Sequence, residues 1–172
     1  MSERWPDPRF RTLSRELLAG ISVDEIGEAV VQHVQFHRDA HPDEPRDGID
    51  TLPPGVQAIY ATWLVDIDVN NGGFNQFFLN RYAALAGYAL SGYELLGTEQ
   101  YASIMRAAIA AYESARESPR AEHDTGPLTG SGESHWHDLF DEIDRRYYSL
   151  GDQIYSIWAI AVHDRPALFV RP

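Results

Sequence analysis

The 172-residue chain contains no cysteine and no lysine. Without thiols it has no disulfide framework, no thiolate zinc site and no cysteine nucleophile, a composition that suits a reducing cytoplasm. Without lysine it has no P-loop lysine to reach a phosphate. Its fourteen basic residues are all arginine, which reads as the codon bias of a GC-rich genome. Positive charge is scarce altogether: 26 acids face those 14 bases, for a net charge of −12. That sign works against a nucleic-acid backbone, whose affinity comes from basic side chains. It works equally against anionic membranes. The longest apolar run, near Ile154 to Val162, is too short to span a bilayer. The N-terminus, MSERWPDPRFR, lacks the apolar core of a secretory signal. No internal repeat is visible, and no stretch alternates strictly enough to read as a strand.

What is present is helical. An apolar fraction of 44% over this length supports one globular domain with a real core. Arg9 to Ala19 reads as a short helix ended by Gly20. Ser22 and Glu25 form a capping-box pattern before Val23, Ile26, Val30, Val34 and His37. That helix should stop before the acidic stretch HPDEPRDG. Pro53 and Pro54 open the next helix, with Ile59, Trp63 and Ile67 about a turn apart. The stretch NNGGFNQFFLN, Asn70 to Asn80, should end it. Phe74, Phe77, Phe78 and Leu85 then restart a helical stripe. Ala89 to Leu96 reads as a further helix ended by Gly97, and Thr98 as the cap of the next. That helix buries Tyr101, Ile104, Met105, Ala108 and Tyr112. Residues 117–134 read as a mobile loop. Ser134 should cap a helix with Trp136, Leu139, Phe140, Ile143, Tyr147 and Leu150 on one face. Asp152 starts the last helix, through Ile154, Ile157, Trp158 and Ala161. The fold class is therefore all-α, with six to eight helices.

Several chemical readings fail on spacing. Asp66, Asp68 and Asn70 open like a calcium loop, but its sixth and twelfth positions hold Asn71 and Phe77, not Gly and Glu. The acids then read as lying near the surface at a helix end. Gly72 and Gly73 fit neither phosphate-binding glycine pattern. His33 and His37 are spaced i, i+4, a metal-ligand spacing, but no Glu completes the zinc motif, and both continue the apolar face. They read as boundary core residues, with metal ligation as the lesser alternative. No serine sits in a nucleophile elbow, and acid pairs such as Asp141 and Glu142 face Arg145 and Arg146 at salt-bridge spacing. No catalytic residue, cofactor or metal is assigned, and the chain reads as non-enzymatic.

The acid excess is uneven. Residues 21–80 hold ten acids against two arginines, a net of −8. Carboxylates one helical turn apart can present a phosphate-like array to a basic partner. The candidate partner surface comprises Asp24, Glu25, Glu28, Asp39, Asp43, Glu44, Asp47 and Asp50.

Asn71, Gly72, Gly73, Phe74, Gln76, Phe78 and Asn80 together resemble the N-G-G-F-[DN]-Q-[FY]-F-x-N signature of a bacterial family of helical domains named after a DNA-mimic protein. The stretch from Leu139 to Tyr148 resembles the downstream helix of that family. The resemblance covers roughly residues 50–165 and implies an all-α fold with no assigned catalytic residues. Asn75 stands where the family often has Asp. The expected organisation is an acidic helical extension over 1–50, the signature domain over 51–166 and a tail over 167–172. The expected partner is a basic DNA-binding protein, not nucleic acid and not a membrane, with a homodimer as an open alternative. The rival reading is a ligand-binding or enzymatic pocket around Tyr60, Trp63, Asn71, Gln76 and Asn80. If the motif is structural, a turn anchored in the core by its Phe cluster, Gln76 and Asn80 should bond exposed backbone at that turn.

Overall fold

The computed structural model describes residues 6–40, 49–117 and 132–171, apart from the side chains of 81–82 and 132–138. Asp43, Glu44, Asp47, most of the stretch 117–134 and the Trp136 side chain lie outside those residues. Seven α-helices occur in the order α1 (Arg15–Gly20), α2 (Val23–Ala40), α3 (Pro54–Leu79), α4 (Ala86–Leu96), α5 (Glu99–Arg116), α6 (Gly132–Tyr148) and α7 (Gln153–Asp164). 3-10 turns accompany them at Pro8–Arg11, Arg81–Leu85 and Pro166–Leu168, with another over 49–51. There is no strand among the described residues.

Helix α3 is the axis of the domain. It packs against α2, α4, α6 and α7. Helix α5 bridges α4 and α6 on one side, while α1 and α2 pack with α7 on the other. Along α3 nearly every side chain from Val56 to Phe78 is buried, with Ile67, Asn70 and Asn71 the exposed positions. Two close contacts set its neighbours. Gly92 of α4 lies so near α3 that a Cβ there would stand 3.0 Å from the Ala58 backbone. On the other side, Trp158 Nε1 of α7 donates to Thr62 Oγ1 at 3.1 Å, and Thr62 in turn donates to the Ala58 carbonyl. The chain end contributes as well: Phe169 is buried in the same core as α3.

Local chemistry moves several boundaries. The segment expected as one helix from Arg9 to Ala19 is two, because it contains two caps. Asp7 accepts from Arg9 N at 2.9 Å to start the first turn, and Ser14 accepts from Leu17 N at 3.1 Å to start α1. At α2 the Glu25 carboxylate reaches back to Ser22, accepting from its hydroxyl at 2.9 Å and its N–H at 3.4 Å. The reach of the box acid is thus present, but the hydroxyl is turned to Glu25 rather than to backbone. Thr98 and Asp152 occupy the caps of α5 and α7 without side-chain cap bonds. Gly97 ends α4 in the left-handed conformation, φ 78°. Helix α6 begins at Gly132, so Ser134 lies in its first turn instead of capping it.

The largest correction concerns the glycine motif. It does not end α3. Only Gly72 and Gly73 leave helical geometry, and the helix resumes at Phe74 to run on to Leu79. The motif is a kink inside one long helix.

Candidate functional site

The kink is built by two helices far apart in sequence. Gly73 has φ 73° and ψ −177°, a region populated almost only by glycine. This turn frees the N–H of Phe74, and Asp144 of α6 accepts it at 2.8 Å. Asp144 therefore caps the second limb of α3 from another helix. It sits so close that a Cβ on Gly73 would meet its Oδ2 at 2.3 Å. One turn along α6, Tyr148 donates to the Val69 carbonyl at 2.7 Å, taking up an acceptor on the first limb. The Phe residues fill the space beneath. Phe74 meets Tyr147 edge-on at 5.7 Å, and Phe78 stacks on Tyr112 at 4.3 Å and on Phe140 at 5.5 Å.

Two carboxylates lie inside this arrangement. Asp66 is 3% exposed and Asp68 is 5% exposed, not the surface pair the sequence suggested. Asp66 accepts from Tyr147 at 3.0 Å, Tyr155 at 2.9 Å and Asn70 Nδ2 at 3.1 Å. These donors satisfy the group and make its burial tolerable. Burial pushes the Tyr155 hydroxyl up to about 12, and the bond to Asp66 adds to the shift. Burial drives Tyr147 further up in the same direction. Both phenols thus stay protonated as donors at neutral pH. Asp68 accepts on Oδ1 from Gln76 Nε2 at 3.3 Å and Asn80 Nδ2 at 3.0 Å. Gln76 and Asn80 therefore bond a buried carboxylate, not the backbone expected for them. Asp68 Oδ2 and Asn75 Oδ1 are buried without a hydrogen-bond partner among the described residues. Tyr60, from the rival pocket, is buried and stacked on Trp63 at 6.2 Å.

The sequence reading missed the cluster of Asp66, Asp144, Tyr147 and Tyr155. One signal was available. At 100° per residue Asp66 falls on the stripe of Ile59, Thr62 and Val69, whereas Ile67, expected inside, falls off it and is 37% exposed.

The acidic surface is organised by α2. Asp24, Glu28 and Asp39 are exposed, Glu25 is half-buried, and Asp50 is exposed beyond the helix. Glu25 is ion-paired with Arg9 at 3.6 Å. Among the described residues Asp24, Glu28, Asp39 and Asp50 have no cationic partner: Glu28 and Asp39 accept only from Gln32 and Gln35, and Asp50 from Tyr88. Elsewhere Arg106 pairs with Glu94 and Glu99, and Arg145 with Glu142, while exposed Glu16, Glu113, Asp141, Asp152 and Asp164 have no ion pair among the described residues.

His33 and His37 are half-buried on the opposite flank of α2. Among the described residues no three His, Cys, Asp or Glu gather as a metal site. His33 Nδ1 donates to the carbonyls of Phe10 and Arg11, 3.1 Å each, so it holds the N-terminal turn. His37 Nε2 meets Thr51 Oγ1 at 2.9 Å. Burial lowers the His33 pKa below its ordinary value. The fold thus favours neutral His33, and the unfolded chain takes up the proton first. The stabilisation it gives is complete above the unfolded pKa, about 6.5, and is lost as pH falls below it. A His33→Gln variant should therefore melt below wild type near neutral pH, with the gap closing on acidification. A gap that stays constant with pH would remove His33 from the linkage.

A family model described as DMP19-like protein matches residues 50–163. The chain belongs to the DMP19-like protein family. No curated protein and no solved structure gives a significant match. The DMP19-like span contains the kinked helix, both buried carboxylates and the α6 and α7 residues that clamp them. Helices α1 and α2 lie outside it, and so does the acidic stripe on α2. The family region and the acidic stripe of α2 are thus separate parts of the molecule, with Asp50 at the first residue of the family span.

Proposed function

We propose that this chain is a non-enzymatic acidic protein that occupies a basic DNA-binding protein by imitating the charge of DNA. One observation carries the reading: the uncompensated acids of α2 share a face. At 100° per residue Asp24, Glu28 and Asp39 fall within a sector of about 60°, opposite the buried face of Ile26, Val30 and Val34. The stripe runs for about 22 Å at 1.5 Å per residue, comparable to six or seven phosphate steps of about 3.4 Å along one DNA strand. An acidic surface kept for solubility alone has no need of such alignment. Membership of a family named after a DNA mimic points the same way.

The test is a pull-down from host lysate at low and high salt, with each retained protein identified. A basic DNA-binding protein should be held at low salt, released by salt and displaced by duplex DNA. The triple variant Asp24→Asn, Glu28→Gln, Asp39→Asn should bind that protein at least about tenfold more weakly, with melting behaviour unchanged. Failure to retain any basic protein at low salt ends the reading. Retention that DNA does not displace would leave protein binding and remove mimicry.

A further inference from the structure

The other flank of α2 faces charge of the opposite sign, from the N-terminal turn and the chain end. A cavity of about 340 Å³ lies between α2, the N-terminal turn and the chain end, with Arg11, His33, Phe36, His37, Phe169 and Arg171 on its wall. Among the described residues no carboxylate lines it. This is unusual in a chain of net charge −12. Among the described residues neither Arg11 nor Arg171 has an ion pair, although Arg9, Arg106 and Arg145 all do. The Arg11 guanidinium lies over the Phe36 ring, its carbon 4.7 Å from the centroid. That face-on stacking leaves the N–H edges of the fork available to an acceptor. Arg171 donates to the Thr51 carbonyl at a long 3.3 Å, with its other donors uncommitted. The rest of the wall mixes Thr12 and the two histidines with Leu13, Ala40, Pro53 and the two phenylalanines. A concave cavity in which polar groups converge beside aromatic and aliphatic walls can seat a small molecule, and its volume is at the lower end of that class.

We propose that this cavity binds a small organic anion, with a carboxylate or phosphate head held by Arg11 and Arg171 and an apolar body against Phe36 and Phe169. Guanidinium forks match both head groups bidentately. The site stands apart from the acidic stripe, so the two can be separated by substitution.

Isothermal titration of the full chain with benzoate, phenyl phosphate, inorganic phosphate and benzyl alcohol tests it, with the His33 and His37 ring signals followed by NMR. At least one of the two aromatic anions should bind saturably and move both ring signals, and which one binds assigns the head group. Benzyl alcohol should not bind, and inorganic phosphate should bind more weakly than the aromatic anion. Arg11→Gln and Arg171→Gln should each weaken binding about tenfold. Both positions are exposed, so the variants should keep the fold. The triple α2 variant should bind the anion as wild type does. Absence of saturable binding by both aromatic anions overturns the site, as does binding that both arginine variants leave intact. Equal affinity for inorganic phosphate overturns the apolar half of the assignment. Should an arginine variant misfold, ring signals of the wild-type protein that stay still on titration would equally refute it.

Discussion

Gly73→Ala should destabilise the protein by about 3 kcal/mol, combining roughly 1–3 kcal/mol of backbone strain with about 1 kcal/mol for a displaced cap. For a chain of this size that is a fall in melting temperature of roughly 6–12 °C. Two independent effects meet at the position. The backbone there, φ 73° and ψ −177°, excludes an ordinary side chain, and the new Cβ would stand 2.3 Å from Asp144 Oδ2. Gly72→Ala is the internal control. Its φ of −163° is extended backbone open to any residue. Its added Cβ would meet Gln76 Oε1 at 2.5 Å, the far end of a flexible side chain that can move aside. The cost there should be about 1 kcal/mol or less, chiefly a weakened bond from Gln76 to Asp68. Thermal melts of the two variants side by side decide the matter. Equal losses would show that neither the positive φ nor the Asp144 contact matters.

Asp66→Ala should cost about 3–4 kcal/mol. Removing the carboxylate strands three donors at once, and the Tyr147 hydroxyl among them is fully buried. A cavity adds to the loss. Asp66→Asn should be milder, about 1–2 kcal/mol, because an amide keeps one acceptor and a tyrosine hydroxyl can rotate to accept from its NH₂. Chemical denaturation of the pair gives the ordering. If Asp66→Ala unfolds at the wild-type midpoint, the buried hydrogen-bond cluster is not a source of stability.

These two positions also mark how far the sequence could be read. The helical class was legible because the apolar spacing is local: each buried stripe, such as Tyr101, Ile104, Met105 and Ala108, repeats within its own helix. The glycine pair was legible as structural, since it fitted no calcium or phosphate pattern. Its outcome was not. A glycine pair after Asn reads as a helix stop, and what lets α3 continue is a cap from Asp144, 70 residues away. The same reason hid the burial of Asp66. An aspartate is costly inside unless donors are supplied, and its donors stand 81 and 89 residues along the chain. Gln76 and Asn80 were correctly singled out as hydrogen-bonding residues, but their acceptor is Asp68, which local reasoning had placed outside. The cationic cavity was divided among three segments, at Arg11, at His33 to His37 and at Arg171, so no window of sequence contained it.

The cap that Asp144 places on Phe74 also orders the assembly of the chain. Helices α3, α4 and α5 follow one another through short connections and can pair as soon as they form. The first turn of the second limb cannot complete at that stage, because two glycines lend it no propensity and its N–H acceptor belongs to α6. The kink therefore closes only when α6 docks. Docking has to close one large loop, yet doubling such a loop costs only about 0.6 kcal/mol. Relatives of this protein are then free to lengthen or shorten the stretch between α5 and α6 over evolutionary time. A single residue inserted between Gly73 and Phe74 has no such freedom, since it would carry the N–H away from the carboxylate built to receive it.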